Sequence, residues 1–191
     1  MKFLNKIIDR IILKLNIVIL SKLCYYFIYL VFIDCPSVAH EDSDMIKILI
    51  CCGGGFSSSY MAKVLQDNII SKGYQKKMIV DFSPFFESYR VKDNYDVVMC
   101  CPHLTLKVSE YLEKYGKNVP YYIFPSMMYG RMYVKDIYWD ALDIIEGFKQ
   151  TQMNPFFFPG EDGYFVSKRV HCYRHYHPDY TPEQLKKEPN H

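Results

Sequence analysis

From Met45 onward, short runs rich in Ile, Val, Leu and Cys alternate with longer stretches of helical spacing. A chain written this way can bury its strands only in a parallel sheet with helices across both faces, because each strand must be re-entered from the same end through a crossover. The pattern predicts strands over 46–51, 77–82, 95–101 and 119–124, the last of them behind Pro120. Helices are predicted over 57–72, stopped by Gly73, over 103–115, stopped by Gly116, and over 134–149, where Ile137, Ala141, Ile144, Ile145 and Phe148 fall on one stripe. The expected fold is therefore α/β: an open, Rossmann-like, four-stranded parallel sheet flanked by helices. Ligands of such sheets lie beyond the carboxyl ends of the strands, which is where Cys52, Pro102 and Ser126 should gather.

The 191 residues, half of them hydrophobic, hold one core of ordinary size with chain left over at both ends. Three segments result: an apolar extension over 1–44, the α/β domain over 45–150, and a tail over 151–191. Within the first, 7–33 is mostly Ile, Leu, Val, Phe and Tyr, but its longest uncharged run, 23–33, is short of the ~20 residues that span a bilayer. Two accounts of it stand side by side: a hydrophobic, membrane-associating helix, and upstream sequence read from a misplaced start, since Met45 opens the first strand directly. Ser37-Val38-Ala39 also offers the small residues of a secretory cleavage site, behind an unusually long basic stretch. The tail is broken by Pro155, Pro159, Pro178, Pro182 and Pro189 and reads as irregular chain, draped on the domain or partly disordered. A net charge of +2 without a basic cluster argues against a nucleic-acid partner. Seven cysteines in no disulfide or metal-knuckle spacing fit a reducing, cytoplasmic setting.

The chemistry concentrates in Cys51-Cys52-Gly53-Gly54-Gly55-Phe56-Ser57-Ser58-Ser59, between the first strand and the first helix. A helix start offers unpaired N–H groups and partial positive charge, and glycines let further amides converge, so a phosphate or a thiolate is stabilised there. Cys52 should be a better nucleophile than an ordinary cysteine. A nucleoside triphosphate loop would need Lys followed by Ser or Thr after the last glycine, where Phe56-Ser57 stand. A dinucleotide fingerprint matches loosely, with Asp81 as the ribose acid. A low-molecular-weight phosphatase would carry Arg where Ser58 stands; without that guanidinium the loop can hold a phosphoryl group but lacks the main stabiliser for hydrolysing it.

Residues 48–59 resemble the phosphoryl loop of the enzyme IIB family of lactose/cellobiose (N,N'-diacetylchitobiose) phosphotransferase systems, in which a strand runs into Cys, small residues, Gly, an apolar residue and a Ser/Thr triplet. Tyr95 to His103, and Val119-Pro120 through Tyr129-Gly130, agree in order and spacing, so the resemblance covers 45–149. His103 stands where Gln commonly follows the proline, and Pro125-Ser126-Met127-Met128 replaces a more polar loop. The resemblance implies that Cys52 accepts a phosphoryl group from a phosphohistidine IIA protein and passes it to a sugar of the β-glucoside, cellobiose or lactose class held by a membrane IIC transporter. It implies neither metal nor nucleotide cofactor, and places the domain in the cytoplasm, at the membrane through IIC or 1–44. Two other readings are a phosphatase-like hydrolase and a nucleotide- or anion-binding module without turnover.

For single residues a plainer role stands beside the chemical one. Gly53, Gly54, Gly55, Phe56, Ser57, Ser58 and Ser59 are the candidate phosphate loop, and the serines can equally cap the helix. Pro102, His103 and Ser126 are candidate rim residues, with plain surface as the default for His103. Cys51, Cys100 and Cys101 read as core filling. His171, Cys172, His175 and His177 suggest zinc, but no second ligand pair accompanies them.

Overall fold

Ile46, Ile48 and Ile50 turn to one side of the first strand, β1 (Ile46–Cys52), and Leu49 and Cys51 to the other. Both sides are buried, as a central parallel strand requires. In the computed structural model of the chain, residues 45–53, 56–161 and 168–187 are described, with the side chains of 56–61 and 186–187 excepted. All belong to one unit, His40–His191. The expectations for 1–44 lie outside these residues. After β1 come α1 (Phe56–Ser71), β2 (Met78–Pro84), β3 (Val97–Cys100), α2 (Thr105–Tyr115), β4 (Tyr121–Ile123), α3 (Ser126–Arg131), α4 (Val134–Thr151) and the short α5 (Tyr173–Tyr176). Single 3-10 turns fill Phe85–Arg90, Lys92–Asn94, Pro102–Leu104 and Pro182–Lys187.

The four strands pair in the order β2-β1-β3-β4, all parallel. The expected four-stranded α/β sheet is therefore the observed one. Val97 and Met99 join the isoleucines of β1 on the face covered by α1 and α4, through Leu65, Ile69, Ile137, Ala141 and Ile144. Val98 and Cys100 face the other way, against Val108, Tyr111 and Leu112 of α2. Crossovers after β1 and after β3 thus leave on opposite faces, which makes the β1–β3 boundary the topological switch point, beyond which ligands of such sheets bind.

The predicted boundaries hold within a few residues. The tail behaves differently from the expected draped chain. Phe156, Phe158, Tyr173 and Tyr180 are core residues, and the segment finishes one edge of the sheet: Phe156 N–H donates to the Tyr121 carbonyl (2.7 Å), while Asn154 Oδ1 accepts from Tyr121 N–H (2.9 Å). A three-residue β4 leaves backbone groups that need partners, and the tail supplies them.

The tail is also held by charge. Asp136, Asp140 and Asp143 form a second stripe on α4 and are all buried. Arg169 pairs with Asp140 (2.7 Å) and Glu161 (2.6 Å), Arg174 with Asp143 (2.5 Å), and His171 Nδ1 lies 3.0 Å from Asp136. The backbone N–H groups of Cys172 and Tyr173 donate to Asp136 and Asp140. Burial pushes the Asp140 carboxyl up to about 7, against the pull of Arg169. His171 stacks on Tyr133 and His177 on Tyr173, so the tail's imidazoles serve packing here. Among the described residues no group of His, Cys, Asp and Glu is arranged to hold a metal ion. No described helix is long and apolar enough to cross a membrane.

Candidate active site

Cys52 ends β1, the inner strand beside the switch point, and only 7% of its surface is exposed. Gly53 follows, and α1 begins at Phe56, so the thiol sits where the strand hands over to a helix start. Gly54, Gly55 and the side chains of Phe56, Ser57, Ser58 and Ser59 lie outside the described residues. Cys51, one residue earlier, is fully buried and in register with Cys100 on β3. The Cys100 thiol is pushed up mainly by burial, and the neighbouring Cys51 thiol adds to it. That pair is core.

Because β1 and β3 are neighbours in register, Cys101 leaves β3 beside the exit of β1, and its N–H donates to the Cys51 carbonyl at 2.9 Å. Burial pushes the Cys101 thiol up to about 11, with the Gly53 amide pulling the other way. It is therefore a protonated thiol at neutral pH and a poor nucleophile. His103, in the turn Pro102–Leu104, brings Nε2 to 3.2 Å from Cys101 Sγ and accepts a hydrogen bond from Gly53 N–H, also at 3.2 Å. Accepting an N–H at Nε2 puts the imidazole proton on Nδ1. A Cβ at Gly53 would lie 2.7 Å from Nε2, so this approach requires glycine.

From the other side comes Tyr129 of α3. Its hydroxyl is pushed up to about 12, first by burial and then by Cys101 and Cys52, which places it in the electrostatic reach of both sulfurs. Sequence reasoning chose Ser126 in that loop; Ser126 is exposed at the start of α3, and the half-buried Tyr129 is the residue that turns inward. Its signal was available, since Tyr129 lies one helical turn beyond Ser126. Cys101, read as core filling, had a signal too, for it leaves β3 as Cys52 leaves β1. Asp81, the would-be ribose acid, accepts a hydrogen bond from Tyr95 (3.0 Å) and serves structure.

The arrangement is a thiol at a helix-starting glycine turn, flanked by a second thiol, an imidazole and a phenol. The family model for the lactose/cellobiose-specific IIB subunit of the phosphotransferase system matches residues 47–138. Among solved structures the chain is similar to the lactose-specific IIB component domain of the phosphoenolpyruvate:carbohydrate phosphotransferase system from Streptococcus pneumoniae, at 16% identity and a TM-score of 0.36, over 46% of this chain and 84% of that one. No curated protein matches. The stretch that matches this IIB family model, residues 47–138, holds Cys52, Cys101, His103 and Tyr129.

Proposed function

We propose that Cys52 is the phosphoryl acceptor, taking the group from a phosphohistidine on a IIA protein and giving it to a sugar of the β-glucoside, cellobiose or lactose class during IIC-mediated uptake. The domain that does this spans 45–150, works on the cytoplasmic side, and needs no cofactor. The observation that carries the reading is the position of Cys52: an inner strand delivers it to the switch point directly before Gly53 and a helix start, while Cys51 is sealed in the core. The thiolate attacks phosphorus in line, the sulfur–phosphorus bond forms as the donor's phosphorus–nitrogen bond breaks, and loop amides hold the charge on the phosphoryl oxygens. On transfer, the sugar hydroxyl attacks and the thiolate leaves. The position of Ser58, where a phosphatase would have Arg, fits holding and passing on rather than hydrolysis.

The test is mass spectrometry after incubation with a charged lactose-class IIA protein. One phosphoryl mass should appear on Cys52. Cys52→Ser should abolish it, and Cys51→Ser should keep it while costing about 1–3 kcal/mol of stability for a buried, imperfectly paired hydroxyl. Phosphate on Cys51 or on a serine would overturn the assignment. Rapid turnover of a chromogenic phosphate ester would favour the hydrolase, and a tight adenine-nucleotide complex the binding module.

A further inference from the structure

The Nε2 lone pair of His103 faces two donors at the same distance, Gly53 N–H and the protonated Cys101 thiol, both at 3.2 Å. One lone pair cannot serve both at full strength. Gly53 N–H is also the first amide after Cys52, one of those that the proposed function uses to hold phosphoryl oxygens. Neutral His103 therefore occupies a donor that the phosphorylated site needs.

Resting on the assignment of Cys52 as acceptor, we infer that His103 binds the phosphoryl group and gives up Gly53 N–H when it does so. With Cys52 free, the neutral imidazole accepts from Gly53 N–H. With the phosphoryl group in place, the imidazole releases Gly53 N–H to a phosphoryl oxygen, takes a proton on Nε2 and donates to the same group. The balance is simple. As the sulfur–phosphorus bond forms and the donor's phosphorus–nitrogen bond breaks, the leaving imidazole nitrogen of the donor receives the proton lost by the Cys52 thiol; the proton gained by His103 comes from water. Phosphocysteine formation is thus coupled to proton uptake at His103.

The surroundings permit this. The titratable groups at this corner are Cys52 from β1, Cys101 from β3 and Tyr129 from α3, the latter two held protonated at neutral pH. On α2 the nearest cation in sequence, Lys107, lies over the Phe86 ring (5.4 Å), and on α3 Arg131 donates to Tyr133. Among the described residues no carboxylate forms an ion pair with His103. The charge of a phosphoryl dianion beside the imidazole favours the imidazolium.

The experiment is NMR of the full chain between about pH 5 and 9, before and after charging by a lactose-class IIA protein, following the His103 ring nitrogens and the Gly53 amide. In the uncharged chain, Nε2 should be the bare nitrogen at neutral pH and the Gly53 amide should move with the imidazole titration. In the phosphorylated chain the His103 midpoint should rise by about one pH unit or more, and the Gly53 amide should no longer follow it. In His103→Gln, which keeps an acceptor and a donor but no charge, whatever phosphocysteine forms should do so without the proton uptake. An unmoved His103 midpoint in a chain that carries the phosphoryl mass on Cys52 overturns this inference alone. A chain that gains no mass on Cys52 overturns the proposed function and this inference with it.

Discussion

Two polar clusters in this domain follow opposite rules. Under α4, Asp140 and Asp143 meet Arg169 and Arg174 at 2.5–2.7 Å, backbone amides take further carboxylate oxygens, and the guanidinium of Arg169 also donates to Tyr122 and to the His171 carbonyl. Around Cys52, an amide and a thiol share one imidazole lone pair at 3.2 Å. The first arrangement fixes one geometry, because any loosening strands a buried charge. The second leaves donors to spare, which suits the phosphoryl transfer proposed for this loop. Rigid pairing sits where the fold is closed, and incomplete pairing where the proposed chemistry takes place.

The largest expected effect tests whether the closing cluster belongs to the fold. A chain ended at Gln150 loses Phe156, Phe158, Tyr173 and Tyr180 from the core, each worth ~1.5–3 kcal/mol of burial, against a total stability of ~5–15 kcal/mol. Circular dichroism and urea titration should show no cooperative unfolding, whereas a chain beginning at Met45 should retain it. A cooperative transition in the shortened chain would reduce the tail to decoration.

Next is Arg169→Met, which leaves Asp140 buried without its main cation and should cost about 3–5 kcal/mol in urea unfolding. Asp140, already pushed up to about 7, escapes by taking a proton. A folded-state pKa raised above the unfolded value means that the folded protein binds more protons, so the deficit should be smaller near about pH 5 than near about pH 8. A deficit independent of pH would place the loss in packing alone.

At the loop the same sign argument gives a smaller effect on the alkaline side. Cys101 titrates at about 11 when folded and at ~8.5 when unfolded. Unfolding therefore sheds its proton across that window, and stability should fall by up to ~1.4 kcal/mol per pH unit for this group. Cys101→Ala should remove that share of the slope. The smallest effect is expected for His103→Ala, which gives up one shared, exposed hydrogen bond and should change stability by less than ~1 kcal/mol. A loss comparable with that of Arg169→Met would erase the contrast between the two clusters.

Much of the molecule was legible in the sequence. Strand and helix periodicity depends on neighbours a few residues apart, so the alternation after Met45 and the stripe Ile137, Ala141, Ile144 determined the α/β class. The glycine run after Cys52 marked the candidate phosphate loop, because helix-start and glycine signals are local. Three things required the tertiary structure. Asp136, Asp140 and Asp143 look like the solvated side of α4 until the tail, some 30 residues further on, places Arg169, His171 and Arg174 over them. Pro-broken, aromatic-rich chain reads as irregular, and only the short β4 with its unpaired edge shows why Asn154 and Phe156 must dock there. His103 looks like surface at a helix start, and only the register of β1 beside β3 sets its ring against Gly53, 50 residues away in sequence. Periodicity reports which face of an element is buried, whereas long-range pairing of polar groups is decided by which strands lie side by side, and that is a property of the assembled sheet.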